Sequence, residues 1–155
     1  MRRILLLACA LTAAACTAAP DLKQALQVTD LVTGWYDAGI VDGKNKLVPS
    51  ASFRLRNTSD SRINGAALNI VFRFAGSSEE HDSIFVQRVP FEGNETQPVT
   101  VRSQTGYTGD PPQSRADMLK HSDFRDMEVV IFVRQSASQW VELHRAPVER
   151  QLLTR

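Results

Sequence analysis

The stretch Ala51-Ser52-Phe53-Arg54-Leu55-Arg56-Asn57-Thr58-Ser59-Asp60 alternates apolar with polar residues and then breaks into four small polar ones. Ala51, Phe53 and Leu55 fall on one side and Ser52, Arg54 and Arg56 on the other. That is the period of two expected of a half-buried strand, whose successive side chains point to opposite faces. Asn57 to Asp60 then supplies turn chemistry. Beyond it, Leu68, Ile70, Phe72 and Phe74 share one face, while Asn69 and Arg73 take the other. Two strands joined by a turn thus set the reading of the whole chain as all-β.

Working outward, the pattern predicts further strands over 28–36, 83–89, 98–103, 127–134 and 139–144, each bounded by turn-forming residues, for a total of about seven. Val129, Ile131 and Val133 alternate with Val130 and Phe132, so this strand is apolar on both faces and suits a mid-sheet position. Asp42-Gly43 predicts a tight hairpin turn, because glycine tolerates the positive φ required there. Ser114, followed by Asp117, Met118 and Leu119, predicts one short helix with the serine as its N-cap. Seven strands with one short helix predict an immunoglobulin-like β-sandwich that lacks the Cys and Trp landmarks of antibody domains.

The first sixteen residues follow a different logic. Arg2 and Arg3 precede Ile4-Leu5-Leu6-Leu7-Ala8-Cys9-Ala10-Leu11, and small residues lead to Cys16, which is the pattern of an export signal. The apolar run falls short of the roughly 20 residues a membrane-crossing helix needs. Ala13-Ala14-Ala15-Cys16 resembles the bacterial lipobox, with Ala13 where that motif prefers Leu. The resemblance implies a diacylglyceryl group on Cys16 and cleavage just before it. The alternatives are weaker: Leu6-Leu7-Ala8-Cys9 leaves too short an apolar region, and a conventional cut after Ala19 meets Pro20. Cys9 and Cys16 are the two cysteines, so the mature chain forms no internal disulfide. The expected organisation is a signal peptide over 1–15, a polar tether over 16–25 and a β-sandwich domain over 26–155. The resemblance to Gram-negative lipoproteins, with Thr17 rather than Asp after the cysteine, implies the periplasmic side of the outer membrane.

The run Ser50 to Asp60, followed by Ile63 and the alternating strand from Ala67 to Phe74, is similar to small exported bacterial immunoglobulin-like domains of the FxLYD kind. Those have a strand, an Asn-Thr/Ser turn and a second strand. Gly34-Trp35-Tyr36-Asp37-Ala38-Gly39-Ile40-Val41-Asp42-Gly43 resembles a stretch of periplasmic lipoproteins, which implies location and fold but no chemistry.

Lys and Arg number 18 and Asp and Glu 17. With Arg2 and Arg3 in the leader, the mature chain is near neutral and has no basic stripe for nucleic acid. His81, His121 and His144 are far apart, without partners at metal-ligand spacing. Glu79-Glu80-His81-Asp82 reads as a solvated charged loop. Gly76-Ser77-Ser78 lacks the second glycine of a nucleophile elbow, no phosphate loop is present, and Asp123 with Asp126 reads as surface charge. The sequence therefore predicts no enzyme, no cofactor and no metal site. Trp35, Tyr36, Trp140 and His144 are candidates for an exposed interaction surface, since aromatic side chains are favoured at binding hot spots. The expected function is a lipid-anchored, non-catalytic domain that contacts another envelope protein. The alternative is an accessory part of an envelope transport system, holding lipid or another apolar ligand.

Overall fold

Alternation becomes real pairing throughout the computed structural model, which describes residues 20–153. The expected leader, 1–15, and Cys16 lie outside the described residues, as do the first residues of the expected tether. The last residues of the stretch expected to be a tether are instead folded onto the domain. Asp21 accepts a hydrogen bond from the Lys23 amide at 3.0 Å and caps a single helical turn, α1 (Leu22–Ala25), which buries Leu22 and Ala25 in the core.

β1 (Leu26–Val41) and β2 (Lys44–Asn57) form one long hairpin. Its turn is Asp42-Gly43, with φ of 51° and 77°, the left-handed pair that matches strand twist. Then follow β3 (Gly65–Phe74), β4 (Glu80–Glu92), β5 (Glu95–Thr96), β6 (Val99–Arg102), β7 (Tyr107–Gly109), α2 (Arg115–Lys120), β8 (Met127–Arg134), β9 (Val141–Pro147) and β10 (Leu152–Leu153). Ser114 caps α2 as expected, accepting from the Asp117 amide at 3.1 Å.

The fold class is all-β, with ten strands in a continuous path β10-β1-β2-β5-β4-β3-β8-β9 and with β6 and β7 also on β2. Each of the seven expected strands is present. β5, β7 and β10 are additions of two or three residues, too short to show a period. α1 is likewise a second helix that the sequence did not announce. The far edge of β2 is completed piecewise by β5, β6 and β7 in turn. Pro98, between β5 and β6, has no N–H to continue a ladder there.

The sheet curls so that one face packs on itself. Trp35, Leu47, Phe53 and Leu55 from β1 and β2 join Leu68, Ile70 and Phe72 of β3 and Val129, Ile131 and Val133 of β8 in one buried cluster. Each such side chain contributes about 1.5–3 kcal/mol on burial. β8 lies mid-sheet between β3 and β9, as its two apolar faces foretold.

Two polar devices hold the closed form. The first is a latch from β4 to the segment after β6: the Asp82 carboxylate accepts from Ser103 Oγ at 2.6 Å, the Gln104 amide at 2.7 Å and the Ser83 amide at 2.8 Å. Partial burial pushes this carboxyl up, but the Ser103 hydroxyl and the amides of Gln104, Ser83 and Thr105 together outweigh it and hold it below its ordinary value. Glu80, His81 and Asp82 are therefore strand residues, and the expectation of a free charged loop is corrected.

The second is a clasp around buried Thr33. Its Oγ1 donates to the Pro147 carbonyl at 2.9 Å and accepts from the Glu149 amide at 3.2 Å. Its carbonyl accepts from Gln151 Nε2 at 2.8 Å, and the next strand residue inward, Trp35, donates its amide to the Gln151 carbonyl at 2.8 Å. β10 then runs parallel to β1, with Leu152 beside Trp35. Among the described residues no helix is long and apolar enough to cross a membrane.

Candidate functional site

The outward face of the β4-β3-β8-β9 half of the sheet departs from what a solvated face needs. Register places Ser83, Val71, Val130 and Arg145 in one cross-strand row and Phe85, Asn69, Phe132 and Glu142 in the next. Val71 and Val130 are buried, yet they stand outside the core cluster, on the opposite face.

At one end this face is closed by charge. Glu128 accepts from Arg73 Nε and from Arg145 Nη1, both at 2.7 Å, and Arg145 reaches Glu142 at 2.9 Å. The Arg145 guanidinium holds the Glu142 carboxyl below its usual range. The long arginine stems cover the valines while their heads stay paired. A groove of about 640 Å³ lies beside them, but both of its arginines are already paired: Arg145 to Glu128, and Arg150 to Asp126 at 2.6 Å. The Arg150 hydrogen bond lowers the Asp126 carboxyl in turn.

The other end of the face is open. Phe85 is 53% exposed and Trp140 37% exposed, and their rings meet edge to face at 6.1 Å. The Arg134 guanidinium lies 4.6 Å from the Trp140 ring centre and 6.0 Å from that of Phe85. Its Nε is buried without a hydrogen-bond partner. Phe85 and Arg134, with Trp140 packed against both, lead into a groove of about 760 Å³ that they line together with Gly65, Ala67, Arg88 and Ser136. The groove holds two arginines and no carboxylate, and neither arginine has an ion-pair partner among the described residues. Its field is positive and its walls are partly aromatic, a combination suited to an anionic group flanked by apolar ones.

Of the residues singled out in the sequence, Trp140 is where it was expected, at the surface. Trp35 is not: it is 2% exposed and packs edge to face on Phe124 at 4.7 Å. The cause is a bulge between Thr29 and Val32, which inserts one residue and exchanges the faces of β1, so that Thr33 and Trp35 turn inward and Val32 outward. Tyr36 is half-buried in the other half of the sheet, beneath the Arg102 guanidinium at 3.6 Å. His144 is half-buried, and a bulge in β9 sets Glu142 and His144 opposite the consecutive residues Phe132 and Ile131. Simple alternation along 139–144 would set Trp140, Glu142 and His144 on one face, and the bulge breaks it.

Phe85, Arg88 and Arg134 were missed. A signal for Phe85 was present: it is an aromatic at the polar parity of its strand, between the inward Ile84 and Val86. Among the described residues no three His, Cys, Asp or Glu side chains gather to hold a metal ion. No protein-family model, curated protein or solved structure matches this chain.

Proposed function

We propose that this protein is a lipid-tethered, non-catalytic envelope domain that docks an acidic segment of another envelope protein against the open end of its outward sheet face. One observation carries the reading: the exposed Phe85–Trp140 pair clamps an arginine at the rim of a groove that has positive charge and no acid. Large aromatics and arginine are the residue types that dominate binding energy, and an unpaired, partly desolvated guanidinium gains most from a carboxylate. The tether is read from Cys16, and it confines the search for a partner to the envelope. The two halves of the curled sheet, packed through one core, support assignment as an immunoglobulin-like β-sandwich. The transport reading has less support, because the space between the halves is filled by the core cluster.

The test places a photo-crosslinking amino acid at Gln87, in the groove and away from the core. A specific adduct is expected that disappears in Arg134→Glu and Arg88→Glu variants, weakens with salt, and is lost when the acidic segment of the captured protein is removed. An adduct that survives both charge reversals, or none at all, overturns the reading.

A further inference from the structure

At the end of the core between α2 and β8 lies a second, unrelated feature: a cavity of about 240 Å³ walled by Trp35, Phe74, Tyr107, Phe124 and Met127. Phe124 is the centre of this box, edge to face with Trp35 at 4.7 Å and with Tyr107 at 5.2 Å. A wall of four aromatic rings accepts a flat ring through offset and edge contacts. Its size is below the roughly 300–1,000 Å³ of drug-sized ligand sites, which restricts an occupant to a single ring with a small substituent.

The polar groups of the cavity specify that substituent. Trp35 is 98% out of contact with solvent by its 2% exposure, and its indole Nε1–H has no acceptor. An indole N–H donates only, and buried donors are nearly always matched. His81 Nε2 is also buried without a partner. Arg125 lies over the Phe74 ring at 3.7 Å, with no carboxylate paired to it among the described residues. The acid of the cavity, Asp123, is at the rim with its side chain 82% exposed and beside His121 at 3.8 Å. Water screens Asp123 and the also exposed Arg125 there, and of the two the arginine is the one set over the ring wall.

We propose that this cavity binds a small aromatic carboxylate, its ring among Phe74, Tyr107 and Phe124 and its oxygens taken by the Trp35 indole N–H and the Arg125 guanidinium. The site is separate from the groove at Trp140, and either can stand without the other.

The chain has two tryptophans, so the ¹⁵N-labelled full chain gives two indole N–H signals, and a Trp140→Phe variant identifies that of Trp35. Sodium benzoate is the probe. The Trp35 signal is expected to move saturably, with half-saturation at millimolar benzoate or below, while the Trp140 signal stays in place. Arg125→Ala should weaken binding tenfold or more, and benzyl alcohol, which keeps the ring and loses the charge, should bind correspondingly less well. If Arg125→Ala does not fold, Arg125→Lys takes its place, with intermediate binding expected because it keeps the charge and loses the fork. No movement of the Trp35 signal at tens of millimolar benzoate means that the cavity holds water only, and overturns the proposal. So does equal binding by wild type and the Arg125 variant.

Discussion

Removing the Asp82 carboxylate tests how the sheet is held closed. An Asp82→Ala variant strips the acceptor from the Ser103 hydroxyl, 2.6 Å away, and from the Gln104 amide, 2.7 Å away, while Ser103 stays 96% buried at 4% exposure. Hydrogen bonds to a charged acceptor contribute about 1.5–3 kcal/mol each in net terms. Asp82 is itself partly exposed, so water recovers part of that for the freed donors, and the expected loss is about 2–3 kcal/mol in all. Asp82→Asn, which keeps one acceptor oxygen, should lose about half as much.

Urea unfolding followed by tryptophan fluorescence reads both variants. The pH dependence supplies the sign. The folded-state value of this carboxyl lies below its ordinary 3.8, so its stabilisation is complete above the unfolded value and is lost as pH falls through the folded one. The gap between wild type and Asp82→Ala should therefore be constant at neutral pH and close in strong acid. A loss under about 0.5 kcal/mol at neutral pH, the ordinary range for a surface substitution, refutes the latch. A gap that persists unchanged in strong acid refutes it too.

Other expectations follow from the same geometry. In Gly106→Ala a Cβ would be driven into the Leu47 carbonyl, so β7 has to leave β2, and a fall in stability of about 2 kcal/mol or more is expected by chemical denaturation. Glu128→Ala leaves Arg73, whose side chain is 13% exposed, without its counter-charge. A cost of about 2–4 kcal/mol is expected, with Glu128→Gln milder, and equal stability of all three proteins would count against the charge cover over Val71 and Val130. Cys16→Ser should abolish incorporation of labelled palmitate and release the chain from membranes, and retained label would remove the tether from the proposed function.

Much of this fold was legible because its strands are long and wet on one side. Ala51 to Leu55, Leu68 to Phe74 and the doubly apolar Val129 to Val133 each stand where their parity put them. Parity failed where backbone irregularity intervened. The bulge after Thr29 reverses the faces of β1 and buries Trp35, and the one in β9 separates Glu142 from His144. A bulge has no reliable residue signature, so an alternating pattern carries through it unnoticed. Strands of two or three residues are set by what they pair with, not by their own sequence, so β5, β7 and β10 lie beyond any periodic reading. The candidate site was half legible. Trp140 announced itself by residue type, but Arg134 and Arg88 are ordinary strand arginines until register shows that no acid faces them.

The clasp at Thr33 joins groups 118 residues apart in the chain, and it does so at the strand that must also seat Trp35. Topologies dominated by such distant pairings fold in milliseconds to seconds rather than microseconds, since the entropy of closing the loop is spent before the contacts repay it. A segment made late thus sets the time at which one made much earlier becomes safe. Until residues 147–152 arrive, the outer edge of β1 is an unpaired ladder beside an unfilled core, and a factor that shields nascent strands would find its substrate there.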